Sequence, residues 1–216
     1  MNEGTSQMWR IAIKLAGEGG QGVGLAAAVL AEAALASGHE VTMLQTYGPE
    51  ARGGASSADV VISNRQVANP KVIEADLLLL LNQTAWDKFA RPPGRTTKTV
   101  VVVEEGRVHL EGSTPGTLAL PFERLARDEL REKVAANMLA VGAVGALIGC
   151  LTPSSLVEAG LAHSPEAFRA VNQQAIERGG QLMGGAPKFA ALRAMLADLG
   201  APVMNEIDET ILVGTP

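Results

Sequence analysis

The sequence contains one cysteine, three histidines, two tryptophans and one tyrosine in 216 residues, and aromatics make up only 3% of it. A lone thiol, Cys150 in GALIGCL, cannot close an internal disulfide. With no CxxC and no Cys/His cluster, the chain cannot by itself ligate an iron–sulfur cluster or a structural zinc. Cys150 reads as a buried, inert residue, and His39, His109 and His163 sit in no motif. There is no basic excess either: the net charge is −5 and the pI about 5.3. Without phosphate-neutralising stripes or stacking platforms, nucleic acid is not an expected partner. The longest apolar run, MLAVGAVGALIGCL, has 14 residues, short of the ~20 that a membrane span needs. MNEGTSQMWR carries no apolar core of a secretory signal. The expectation is a soluble, cytoplasmic protein with no membrane partner.

What the chain does have is glycine and aliphatic residues: 24 glycines and 47% hydrophobic residues against 19% charged. That is a globular composition, with a core able to bury roughly 70% of the unfolded surface. RIAIKLA (10–16) alternates as a strand, GEGGQG (17–22) is a turn, and the Ala- and Leu-rich 23–38 is a helix stopped by Gly38. EVTMLQ (40–45) is a second strand. Strand, glycine turn, helix and strand make a βαβ unit whose two strands run parallel. ASSADVVIS (55–63) follows too soon for a parallel crossover and is expected antiparallel to the second strand. LLLLL (77–81) and KTVVVV (98–103) read as strands covered on both faces, with a helix in QTAWDKFA between them. The fold class expected is α/β: three α/β/α layers on a mostly parallel, mixed sheet, with a helical C-terminal part.

Beyond Pro121 helices are expected at 121–133, 135–149, 153–162 and 165–178, with Pro153 and Pro165 near helix starts. Gly142, Gly145 and Gly149 would let another element approach the second of these helices. GGQLMGGAP (179–187) reads as a flexible break. A helix in KFAALRAMLADLG and a strand in EIDETILVG complete the chain. Residues 9–180 are expected to form one domain, and 181–216 a C-terminal extension able to reach a partner.

Gly17, Gly19 and Gly22 fit G-x-G-x-x-G between a strand and a helix, the context of a dinucleotide fingerprint. The acidic residue such a site needs at the end of the second strand is missing: that end reads Leu44-Gln45-Thr46. Val23 and Gly24 after Gly22 also rule out a P-loop. A turn built for close packing and an anion site at a helix N-terminus both stay open. TYGPEARGG (46–54) raises the same choice. Pro49 keeps Gly48 extended, and Gly53 and Gly54 leave the backbone open. Glu50 and Arg52 either pair with each other or leave Arg52 for a carboxylate or phosphate. Both loops follow parallel strands, so both belong to the sheet's carboxyl edge, where open α/β sheets bind ligands. That convergence favours function. No catalytic side chain and no metal site is assigned.

LAGEGGQGVGLAAAVLAEAA, TYGPEARGGASSADVVIS, ADLLLLLNQTAWDKF and KVAANMLAVGAVGAL together resemble the gamma subunit of 2-oxoacid:ferredoxin oxidoreductases, over roughly residues 9 to 180. The resemblance implies an assembly that decarboxylates a 2-oxoacid on thiamine diphosphate with Mg2+, transfers the acyl group to coenzyme A, and reduces ferredoxin. Alpha and beta subunits, with a ferredoxin-like delta subunit in some assemblies, would carry the thiamine site and the 4Fe–4S clusters. The gamma subunit would bind no cofactor alone. Gly17, Gly19, Gly20, Gln21, Gly22 and the loop of Tyr47, Gly48, Pro49, Glu50, Arg52, Gly53 and Gly54 would face a partner subunit or coenzyme A. YGPEARGG is most like the 2-oxoglutarate branch; the branched-chain and indolepyruvate branches stay open. The rival readings are a free-standing nucleotide-binding dehydrogenase and a purely structural subunit.

Overall fold

Six strands form one sheet in the order β2-β3-β1-β4-β5-β6 in the computed structural model, which describes residues 8–46, 56–112, 114–184 and 187–199. The strands are β1 (Arg10–Gly17), β2 (Glu40–Thr46), β3 (Ser56–Ser63), β4 (Leu77–Leu80), β5 (Val100–Glu104) and β6 (Thr117–Leu120). β1, β4, β5 and β6 pair in parallel, while β3 runs antiparallel to both β1 and β2. The mixed, mostly parallel sheet is therefore as expected. The opening βαβ unit is as expected, with a strand order that the sequence does not specify. β1 and β2 do point the same way, but β3 lies between them. β3 runs back antiparallel to β2 and fills the gap.

Helices α1 (Val23–Ala36), α3 (Phe122–Asp128), α4 (Ala136–Ile148), α5 (Pro153–Ala162), α6 (Arg169–Gln181) and α7 (Pro187–Ala197) share one face of the sheet. They cover Ile11, Ile13, Leu15, Leu77, Leu79 and Val102. The other face, with Ala12, Ala16, Leu78, Leu80, Val101 and Val103, is covered by α2 (Gln83–Phe89) and by irregular chain around Val72, Ala75 and Val108. Burial on both faces is why β4 and β5 read as unbroken apolar runs. Each fully buried leucine of β4 contributes about 1.5–3 kcal/mol. On the α2 face Lys14 and Asp59, register partners on β1 and β3, form a buried ion pair. Asp59 also accepts the Val72 N–H at 2.9 Å and ties that irregular segment down.

α5 begins and ends as the sequence predicts. Thr152 caps it by accepting the Ser155 N–H at 3.0 Å, and Pro153 takes the first turn. The predicted break at 179–187 is wrong at its start, because Gly179 and Gly180 are the last turn of α6. A Cβ at Gly179 would sit 2.0 Å from the Leu139 carbonyl, and one at Gly142 would sit 2.0 Å from the Ile176 carbonyl. These glycines let α4 and α6 touch backbone to backbone, and that packing outweighs glycine's poor helix propensity. Gly145 likewise accommodates Leu156. Gly149 does something else: at φ 70° it ends α4. β6 was not anticipated. The strand proposed near the C-terminus lies outside the described residues.

Candidate functional site

β1 ends at Gly17, and α1 begins at Val23 after five intervening residues. The turn between them is held by Gln21. Its side chain accepts the Glu18 N–H at 2.7 Å and donates to the Leu81 carbonyl at 3.2 Å, fixing the turn to the end of β4. Gly20 (φ 93°) and Gly22 (φ 72°) adopt left-handed backbone. A Cβ at Gly22 would also lie 2.2 Å from the Asn137 amide nitrogen. Gly22 thus serves both backbone conformation and a close approach by α4. Gly17 has a packing reason too, since a Cβ there would meet Gln21 Oε1 at 2.7 Å. Gly19 has none: nothing lies within 4 Å of where its Cβ would be.

Gln45 occupies the place where a dinucleotide site would carry a carboxylate. It donates to the Gly24 carbonyl at 3.1 Å and so braces the first turn of α1. α1 itself has no side-chain cap, which leaves its N-terminus with partial positive charge.

A cleft of about 540 Å³ opens over this turn. Gly20, Gln21 and Gly22 form one wall, Lys133 and Asn137 at the start of α4 another, and Glu104, Arg107 and Glu123 the third. It lies at the carboxyl ends of β1, β4, β5 and β6. Glu104 ends β5 and is only 2% exposed. Its carboxylate accepts the Gly106 N–H at 3.1 Å and the Glu123 N–H at 3.0 Å. Burial raises its pKa above the ordinary carboxylate value, although those two N–H groups pull it the other way. Arg107 pairs with Glu123 at 2.9 Å. Lys133 makes no ion pair, and the Asn137 side chain no hydrogen bond, among the described residues. Together the cleft offers helix-terminal N–H groups, an amide and a cation, a set suited to an anionic ligand.

Of the residues the sequence singles out, Gly20, Gln21 and Gly22 line this cleft, and Gly17 and Gly19 flank it in the same turn. Tyr47, Gly48, Pro49, Glu50, Arg52, Gly53 and Gly54 lie outside the described residues. The strand ends bearing that loop are described. Ser56 stands opposite Gly17, and Ser57 opposite Thr46. Both loops therefore spring from one stretch of sheet edge. Glu104, Arg107 and Lys133 were not anticipated. A carboxylate closing the apolar run VVVV was the available signal for Glu104.

Cys150 is buried, and burial pushes its thiol up to about 11. A single shielded sulfur does not fit an iron–sulfur cluster, which takes several thiolates. Among the described residues no three His, Cys, Asp or Glu side chains gather as metal ligands, and no helix is long and apolar enough to cross a membrane.

A family model described as pyruvate ferredoxin/flavodoxin oxidoreductase matches residues 12–182. The 2-oxoglutarate synthase subunit KorC of Methanocaldococcus jannaschii is 36% identical over 171 residues, covering 77% of this chain and 90% of that protein. The gamma subunit of a keto/oxoacid ferredoxin oxidoreductase from Geobacter sulfurreducens matches with a TM-score of 0.71 at 33% identity, covering 85% of this chain and 98% of that one. A 2-oxoglutarate:ferredoxin oxidoreductase from Magnetococcus marinus, solved with 2-oxoglutarate, coenzyme A and succinyl-CoA, shares the fold at 24% identity and a TM-score of 0.68 over 81% of this chain and 31% of that one.

Proposed function

The chain belongs to the pyruvate ferredoxin/flavodoxin oxidoreductase family, and from that premise we propose that it is the gamma subunit of a 2-oxoglutarate:ferredoxin oxidoreductase whose cleft receives the phosphorylated part of coenzyme A. The assembly would convert 2-oxoglutarate, coenzyme A and two oxidised ferredoxins to succinyl-CoA, carbon dioxide, a proton and two reduced ferredoxins. Thiamine diphosphate with Mg2+ and the 4Fe–4S clusters would sit on alpha and beta subunits, with or without a ferredoxin-like delta subunit. The choice of 2-oxoglutarate leans on the KorC relative. Residues 9–180 would be the gamma domain, and residues 181–216 an extension reaching a partner.

One observation carries the reading: the uncapped N-terminus of α1, the Asn137 amide and Lys133 share one cleft at the sheet's carboxyl edge. In the assembled enzyme these groups would bind and orient a phosphate. Gly17, Gly19, Gly20, Gln21 and Gly22 would shape the turn beneath it. Gly48, Pro49, Gly53 and Gly54 would shape the neighbouring loop, where Tyr47, Glu50 and Arg52 would meet the partner subunit. A free-standing nicotinamide dehydrogenase is disfavoured because Gln45 is committed to α1.

The test is Lys133→Ala in the assembled enzyme. The KM for coenzyme A should rise about tenfold, the scale of one charge-assisted hydrogen bond, with the KM for 2-oxoglutarate unchanged. An unchanged KM for coenzyme A refutes the cleft assignment. Micromolar binding of NAD(H) or NADP(H) by titration calorimetry would favour the dehydrogenase.

A further inference from the structure

Glu104 is costly where it stands. Folding buries its carboxylate, and burial outweighs the two N–H groups it accepts, so its pKa rises. A raised carboxylate pKa means that the folded state disfavours the ionised form. That contribution to stability is present below the unfolded pKa and is lost as pH rises through the folded one. The ionised form of the side chain therefore works against stability, at the end of a strand facing the ligand edge. Such groups cluster at functional sites.

Its contacts indicate what it does. One carboxylate oxygen holds Gly106 in the turn after β5, and the other holds Glu123 in the first turn of α3. The side chains next to those two anchor points, Arg107 and Glu123, pair with each other and wall the cleft. The Glu104 backbone carbonyl also accepts the Arg107 N–H at 3.2 Å and the Val108 N–H at 3.1 Å. Two segments 16 residues apart are thus clamped through one buried side chain.

We infer that Glu104 is a positioning residue of the coenzyme A cleft, clamping the turn of Arg107 to the start of α3 so that this wall stands at a fixed distance from the glycine turn. The inference rests on the cleft assignment proposed above. Protonation removes one acceptor and loosens the clamp, so the KM for coenzyme A rises as pH falls through the Glu104 titration. The other charges around it are Glu105 and Arg107 on the same turn, Glu123, Arg124 and Arg127 on α3, Glu18 on the glycine turn and Lys133 before α4.

The experiment measures the KM for coenzyme A and kcat from pH 5 to 8 in the assembled enzyme, for wild type, Glu104→Gln and Lys133→Ala. Glu104→Gln should raise the KM about tenfold at neutral pH, flatten its acid limb and change kcat less than the KM. The melting temperature should hold, because the neutral amide escapes the burial cost of the charge. In the unmodified full-length chain, amide-exchange protection at Gly106 and Glu123 should drop on acidification through the same range. Unchanged KM and acid limb in Glu104→Gln overturn the inference. If Lys133→Ala raises the KM in that case, the cleft assignment survives; if Lys133→Ala is silent too, both fall. Should Glu104→Gln fail to assemble, pH-independent protection at Gly106 and Glu123 in the wild type overturns it alone.

Discussion

At Gly22 two requirements meet that no other residue satisfies together: a φ of 72° and an Asn137 amide where a Cβ would go. At Gly19, three residues earlier in the same motif, neither applies. The motif letters do not separate these glycines, and the structure does. Gly22→Ala should destabilise the chain by about 1–3 kcal/mol through backbone strain and a forced shift of Asn137. Gly19→Ala should lie within about 0.5 kcal/mol of wild type, as for a surface change. Urea denaturation of the two variants checks both; equal losses would refute the assignment of roles. Gln45 gives a second lesson at this scale. The sequence correctly notes the missing carboxylate, but it does not reveal that the residue there braces α1, because that contact joins positions 21 apart.

Among the elements, α4 and α6 pose the sharpest conflict between local preference and packing. Propensity alone makes Gly179 and Gly180 equally poor helix residues, each worth about 1 kcal/mol on replacement by alanine. Packing separates them. Gly180→Ala should stabilise the chain by about 0.5–1 kcal/mol, since the nearest atom to its Cβ lies 3.8 Å away. Gly179→Ala should destabilise it, because the Leu139 carbonyl would have to move. Thermal melting of the pair reads the sign directly, and a gain in both would refute the backbone contact. The same conflict explains what was legible. β1 showed itself by alternation, β4 and β5 as apolar runs, and α5 through Pro153, because those signals are local. β6 is four residues of TLAL whose strand character comes from pairing with β5. The Gly179–Gly180 turn was mistaken for a break because its partner, α4, lies some forty residues earlier. Of the site, the glycine turn was legible from its spacing. Glu104, Arg107 and Lys133 were not, since only the parallel order β1-β4-β5-β6 brings their strand ends together.

For the whole molecule, the sheet brings the ends of β1 and β2 and the start of β3, the strand ends that carry the two glycine-dense loops, to one edge. One buried cysteine does not suffice to hold an iron–sulfur cluster on this chain. Arg52 in the second loop belongs to this scale: Arg52→Ala should leave the melting temperature of the isolated chain nearly unchanged while weakening subunit association or the affinity for coenzyme A by about one to two orders of magnitude. Earlier melting with intact assembly would instead make it a structural partner of Glu50. The central claim is that this chain is a working part of a 2-oxoglutarate:ferredoxin oxidoreductase. Its most direct test is to coexpress the chain with the alpha and beta subunits proposed to bear the thiamine diphosphate and the clusters and measure ferredoxin reduction with 2-oxoglutarate and coenzyme A, with and without the chain. Copurification is expected, with activity that collapses when the chain is left out and faster turnover with 2-oxoglutarate than with pyruvate or branched-chain 2-oxoacids. Partner subunits fully active without the chain, or a chain that never copurifies with them, would contradict it.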